Sequence, residues 1–255
     1  MAETVTHAPG KFVWRELFTP DVEASKRFYG GLFGWNWSTM PMGEGMSTYT
    51  MAMVGDQTIA GFMDLAHLPE GDPVPPHWSV YVYVDDVDQA LERAIAAGGR
   101  ACSDATDIPG VGRFAVVRDP QGAMFNLFRA TQGGGEAREP GFGEFHWEHL
   151  NTSDPEAAIA FYTQVVGWGT ESFGPVSFFT REDGTEQVGV VSQAPAGVPA
   201  HWITYVRVAD LAATNAKAKE LGAEVIEERI DVPGRGAFAL LKDPFGVLFM
   251  TSELA

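Results

Sequence analysis

The chain has 255 residues, 45% of them hydrophobic and 20% charged, a balance that suits a globular protein long enough for two compact domains. A formal net charge of −17 repels phosphate backbones, so nucleic acid is not an expected partner. No stretch approaches the roughly 20 apolar residues of a membrane span, and residues 1–7 lack the basic and apolar segments of a signal peptide, so a cytoplasmic protein without a membrane partner is expected.

In chain order, the aromatic and apolar residues 12–18 predict a strand. Thr19-Pro20-Asp21 follows, a capping side chain beside a proline suited to a first helical turn. Ala24, Phe28 and Leu32 then recur every four residues along one helix face. Tyr49, Met51 and Met53 alternate with smaller residues as another strand, and Gly55-Asp56 turns the chain into a further one over residues 59–65. Residues 78–84 open a second group of elements, with a helix from Asp86 through Ala97 that stops at Gly98-Gly99. The lone Cys102, which allows no internal disulfide, reads as a small half-buried strand residue. Residues 113–118 and 123–129 flank Asp119-Pro120-Gln121-Gly122 as a hairpin. Residues 131–142 are glycine-rich and polar, a linker.

Beyond the linker the chain repeats itself. Residues 10–21 match residues 143–154 at Gly, Phe, Trp, Leu, Thr and Asp, an offset of 133. Phe28-Tyr29 matches Phe161-Tyr162, and Gly34-Trp35 matches Gly167-Trp168. His77-Trp78 pairs with His201-Trp202 and the Asp119 turn with Asp243-Pro244-Phe245-Gly246, now at an offset of 124, so an intervening loop is nine residues shorter in the second copy. In the second copy, Ala157, Phe161 and Val165 form the corresponding helix face. The order is strand, helix, then further strands, four times over.

With Phe-Tyr and Gly-Trp after the first strand of each copy and Asp-Pro-x-Gly before the last, this order resembles the paired βαβββ modules of the glyoxalase/bleomycin-resistance/dioxygenase (vicinal oxygen chelate) superfamily. The wording of residues 14–21 and 33–35 is similar to two-domain glyoxalase-like "hydroxylase" proteins of actinobacteria. The resemblance covers about residues 10 to 252. It implies an α+β fold of tandem vicinal oxygen chelate domains, residues 10–130 and 143–253, each of two paired βαβββ modules forming a cleft.

The resemblance also locates metal positions. One ligand of metal-dependent members lies seven residues before the helix-start Asp, which here gives Trp14 and Trp147. Another opens the second module, at Ser79 and Ile203, and a third follows the Asp-Pro-x-Gly aspartate by seven residues, at Asn126 and Met250. None of the six is a carboxylate or an imidazole, which a divalent ion of this kind needs. No metal and no cofactor are therefore expected. A displaced ligand set would have to use Glu16 or His149, which share the strand face of the tryptophans, or His77 and His201. The last two read as loop-to-strand residues capping the sheet edge. His146, Glu148 and His149 form no zinc motif, because on a strand His146 and His149 point to opposite faces.

No Gly-x-Ser-x-Gly elbow occurs, so covalent hydrolysis has no support. Gly110-Val111-Gly112 and Gly234-Arg235-Gly236 lead into strands and read as hairpin turns, without the helix N-terminus of a phosphate cradle. Glu16 and His149 are the acid/base candidates, against a plain reading of Glu16 as a half-buried carboxylate bonded to neighbours or water. Trp14, Tyr81 and Phe128 in the first copy, and Trp147 and Tyr205 in the second, project inward on the assigned registers. With Glu16, Ser79, Asn126 and His149 they are the candidate ligand-binding residues. Aromatic stripes on strands are more often core than site, but flat faces at the family's ligand positions suit a planar apolar molecule. The expected function is a metal-free binding or accessory protein for a planar aromatic natural product or drug, in antibiotic sequestration or biosynthetic tailoring beside a tailoring enzyme. The alternatives are a metal-dependent glyoxalase-type lyase, isomerase or dioxygenase, and a structural or dimerising protein with vestigial clefts.

Overall fold

A computed structural model of the chain describes residues 8–41, 48–68, 74–131, 138–182, 184 and 186–255. The first copy contributes β1 (Phe12–Thr19), α1 (Val22–Phe33), β2 (Asn36–Pro41), β3 (Thr48–Val54), β4 (Gln57–Asp64), β5 (His77–Tyr83), α2 (Val87–Ala96), β6 (Arg100–Ala101), β7 (Thr106–Ile108), β8 (Gly112–Arg118) and β9 (Met124–Ala130). The second contributes β10 (Phe145–Thr152), α3 (Pro155–Val166), β11 (Gly169–Phe173), β12 (Val176–Thr180), β13 (Gln187–Gln193), β14 (His201–Arg207), α4 (Leu211–Glu220), β15 (Glu224–Val232), β16 (Gly236–Lys242) and β17 (Leu248–Glu253). One sheet runs β2-β3-β4-β1-β5-β9-β8-β6 with β7 on β8, the other β11-β12-β13-β10-β14-β17-β16-β15. The fold is α+β, as expected. Part of the predicted linker, residues 132–137, lies outside the described residues.

All four helices start the same way. Asp21, Asp86, Asp154 and Asp210 are N-caps whose carboxylates accept from the backbone N–H three residues on, at 2.8–3.0 Å, satisfying a donor that the first turn leaves without a partner. Pro155 occupies the first turn of α3, whereas Pro20 precedes the cap of α1 rather than following it. The buried stripe is offset from the simple four-residue repeat. Ser25, Phe28 and Tyr29 are buried on α1, and Ala158, Phe161, Tyr162 and Val165 on α3, because a helix of 3.6 residues per turn buries i, i+3, i+4 and i+7. Cys102 corrects an expectation too: it is exposed and follows the two-residue strand β6 in a bend.

Spatial compactness groups the chain into two units that each combine halves of both copies. One holds Met1–Val13, Ser79–Arg138 and Trp147–Trp202; the other holds Trp14–Trp78, Glu139–His146 and Ile203–Ala255. Each has its own hydrophobic core, the first around Phe125, Tyr162, Trp168 and Trp202, the second around Tyr29, Trp35, Trp78 and Phe249. The motifs that betray the repeat build these cores. In the first unit Trp202 Nε1 donates to Tyr162 Oη at 3.1 Å, and Tyr162 Oη donates to Asp119 Oδ2 at 3.2 Å. In the second, Trp78 donates to Tyr29 and Tyr29 to Asp243, both at 3.1 Å. The other carboxylate oxygen of each aspartate accepts two backbone N–H groups of its own turn. Burial first, then the facing aspartate, raises both tyrosine hydroxyls well above their usual range, and burial raises both aspartates. Trp168 Nε1 donates to Gly10 O at 2.8 Å and Trp35 Nε1 to Gly143 O at 2.6 Å, so the turn that opens each copy is hooked onto the Gly-Trp of the other copy. Among the described residues no helix is long and apolar enough to cross a membrane.

Candidate functional site

The candidates fall into small clusters, each within one unit. In the unit that contains most of β1, Trp14 and Glu16 alternate with the core residue Leu17 and so share the opposite face of the strand. Glu16 is 5% exposed. Tyr49, from the start of β3, ties the pair together: Trp14 Nε1 donates to its Oη at 3.2 Å, and the Oη donates to Glu16 Oε1 at 2.7 Å. Burial, followed by the Glu16 charge, raises the Tyr49 hydroxyl far above its ordinary range, so it acts as a neutral donor. The chain makes room for this hydroxyl with a glycine. Gly61 lies opposite Glu16 and Met51 in the β4 register, and a Cβ there would stand 1.8 Å from Tyr49 Oη.

By sequence alone Tyr49 reads only as a strand residue, and Gly61 carries no expectation. The available signal was an isolated glycine inside the strand, which marks a close approach. Glu16 accepts a hydrogen bond from the Tyr49 hydroxyl, a partner that the plain reading of a half-buried carboxylate did not name.

His77 lies in the same unit. Its ring stacks on Phe18 at 5.1 Å and 14°, and Phe18 shares the strand face of Trp14 and Glu16. His77 Nδ1 meets Pro75 O at 2.9 Å, which fixes the proton there. His77 and His201 are loop-to-strand residues as expected, but the strands they open, β5 and β14, are interior strands of the two sheets rather than edges.

Tyr205 is also in this unit, edge-on to His146 at 6.3 Å and to Phe238 at 5.7 Å. His146 Nε2 meets Ser252 Oγ at 2.5 Å. Burial, then Arg15 and Arg207, lowers its pKa to about 4, so the ring is neutral at physiological pH.

The other unit holds the remaining candidates. Ser79 and Asn126 are buried together, Asn126 Nδ2 donating to Ser79 Oγ at 2.7 Å and to Val80 O at 3.1 Å. Tyr81 and Phe128 meet edge to face at 6.1 Å. Trp147 packs on Phe178 at 6.0 Å. His149 Nε2 meets Ser192 Oγ at 2.7 Å. Burial, then His201, lowers the pKa of His149 to about 4, and His201 is held by Pro199 O as His77 is by Pro75 O. A depression of about 330 Å³ at the β7–β8 turn is lined by Asp107, Ile108, Arg113 and Arg129 and by none of the candidates.

The residues at the family's metal positions do not fit a divalent ion. Trp14 is committed as an indole donor, and Ser79 Oγ accepts from the amide of Asn126, so neither copy offers a carboxylate or an imidazole there. In the second copy Ile203 and Met250 are apolar and buried. Among the described residues no group of three or more His, Cys, Asp or Glu side chains stands close enough to share an ion.

The glyoxalase family model, described as the glyoxalase/bleomycin resistance protein/dioxygenase superfamily, matches residues 11–127 and 144–251. A Mycobacterium bovis protein named "Putative glyoxylase CFP32" is 37% identical over 92% of this chain and 92% of its own length. The anthracycline biosynthesis protein DnrV of Streptomyces peucetius is 35% identical over 97% of this chain and 94% of its own. Among solved structures, the Mn(II)-bound glyoxalase from Novosphingobium aromaticivorans aligns with a TM-score of 0.64 at 15% identity, covering 98% of this chain and 82% of that one. The dioxygenase LapB from Pseudomonas sp. KL28 aligns at 0.63 and 12%, covering 98% and 93%.

Proposed function

The chain belongs to the glyoxalase/bleomycin resistance protein/dioxygenase superfamily, and from that premise we propose that it is a metal-free accessory or binding protein for a planar polycyclic aromatic natural product. The repeated copies, residues 10–130 and 143–253, are the domains of this reading, each with one cleft. The observation that supports it most is the chain Trp14–Tyr49–Glu16: an indole and a carboxylate are fixed on one strand face where metal-dependent relatives of the fold would need an ion ligand. An indole face stacks on a planar ring, and such a pair adds roughly 0.5–1.5 kcal/mol beyond area burial. A carboxylate beside it orients an amine through a charge-assisted hydrogen bond. The net charge of −17 draws a cationic ligand, more strongly at low salt.

The similarity to DnrV, a protein named for anthracycline biosynthesis, supports the same ligand class and a role in a biosynthetic pathway; a tailoring enzyme as partner and a cytoplasmic location are parts of the same proposal. Sequestration of a drug of that shape is the same binding event put to another use.

Titrating tryptophan fluorescence with an aminosugar-bearing anthracycline tests the proposal. Saturable quenching, weakened by Trp14→Ala and by added salt, is the expected result. Tight binding of small anions alone, or about one tightly held divalent ion per chain, overturns it and favours a metal-dependent glyoxalase-type enzyme.

A further inference from the structure

We infer that Tyr49 is the specificity-determining residue of the first copy's site, and that Gly61 is what admits it. This rests on the aromatic-ligand reading for its ligand but not for its geometry. Tyr49 bridges Trp14 and Glu16: its oxygen accepts from the indole and its proton goes to the carboxylate. A hydroxyl used in both directions has a fixed rotor, so the indole plane and one carboxylate oxygen are set relative to each other before any ligand arrives. That is preorganisation, which lowers the ordering cost of binding. The phenol remains protonated, held so by burial beside the Glu16 charge, so it meets Glu16 as a neutral donor.

The second copy shows that the arrangement depends on a residue pair. His149 pairs with Val190 in the strand register as Glu16 pairs with Gly61. Phe178 faces Val190 as Met51 faces Gly61, so Val176 stands where Tyr49 does. The copy with glycine has the tyrosine, and the copy with valine does not. A Cβ at Gly61 would overlap the tyrosine hydroxyl at 1.8 Å and its ring carbon at 2.5 Å, so the tyrosine would have to leave its place. Gly61 and Tyr49 are thus one device, and the second copy, built with two valines, cannot hold a carboxylate or an imidazole in that way.

The experiment uses the full chain and two probes, an aminosugar anthracycline and its N-acetyl derivative, which keeps the ring system and removes the charge. Wild type is expected to prefer the amine, and Tyr49→Phe to reduce that preference about tenfold, the size of one or two lost hydrogen bonds. Binding of the N-acetyl compound should change less. In the ligand-free protein, Tyr49→Phe should shift one indole N–H resonance, the one that disappears in Trp14→Phe. Gly61→Val should unfold at lower denaturant, and the added change Tyr49→Val should recover most of that loss. Unchanged amine preference together with an unshifted indole resonance overturns the inference, as does a Gly61→Val defect that Tyr49→Val leaves uncorrected. If wild type binds neither probe, the aromatic-ligand reading fails, and the resonance and the valine pair still decide the role of Tyr49.

Discussion

On β1 a carboxylate and on β10 an imidazole occupy the same register position, yet each finds a different partner. Glu16 reaches across to Tyr49 on β3, over a glycine; His149 turns to Ser192 on β13, beside a valine. The two cores around them are matched almost bond for bond, with the same Trp–Tyr–Asp chain and the same tryptophan hook. Scaffold and site thus diverge to different degrees within one chain. A core relay has buried polar atoms that must all be satisfied together, so altering one member leaves the others unpaired. A side chain on the site face needs only one compatible neighbour, and the copies found different ones.

The largest effects should fall where the copies agree. Trp35→Ala and Trp168→Ala should each cost about 3–5 kcal/mol, as large buried aromatics do, and by similar amounts in urea denaturation. A cost confined to one of them would break the equivalence of the two cores.

A pH scan separates the copies next. His149 titrates near its ordinary 6.5 when unfolded and at about 4 when folded. Between those values the unfolded chain binds the extra proton, so stability falls as pH drops from 6.5 towards 4 and is unaffected by this group above 6.5. His146 acts in the same direction. Asp119 and Asp243, raised by burial, act oppositely, because the folded state then holds the proton more tightly. His149→Gln should therefore flatten part of the acid limb of a melting-temperature curve, and Glu16→Gln should leave the His149 part in place. An acid limb identical to wild type in His149→Gln would contradict the buried neutral imidazole.

Ligand binding gives a smaller and more selective contrast. Trp14→Ala and Glu16→Ala should each weaken binding of a cationic polycycle by about tenfold, near 1.4 kcal/mol, with Trp147→Ala and His149→Ala causing less. Equal losses from both pairs in calorimetric titrations, with folding intact, would remove the functional distinction between the copies. The smallest expected effect is none at all. EDTA should leave the melting temperature unchanged, since a bound ion would stabilise the fold by mass action and the donor sets do not fit one. A lowered transition after chelation would return the metal-dependent reading to both copies.

The alternation of residues 12–18, the helix starts at the Asp21 and Asp86 segments and the 133-residue offset were legible from the chain itself, because strand period, capping and repetition are local or self-referential patterns. So was the presence of Trp14, Ser79 and Asn126 at the positions that the resemblance marks for metal ligands, which needs only counting from motifs. What local pattern could not reveal was the use of those motifs. Phe-Tyr, His-Trp and Asp-Pro-x-Gly read as marks of one copy, but the hydrogen bonds join Tyr29 to Asp243 and Tyr162 to Asp119, residues of different copies 214 and 43 positions apart. Likewise Tyr49 lies 33 residues from Glu16, and no period links them. The orientation of His77 onto Phe18 depended on which strands became neighbours. Composition and spacing determined the elements and their faces; sheet order and module pairing decided which side chains meet, because a contact between distant residues is fixed by the whole fold's packing and by no segment alone.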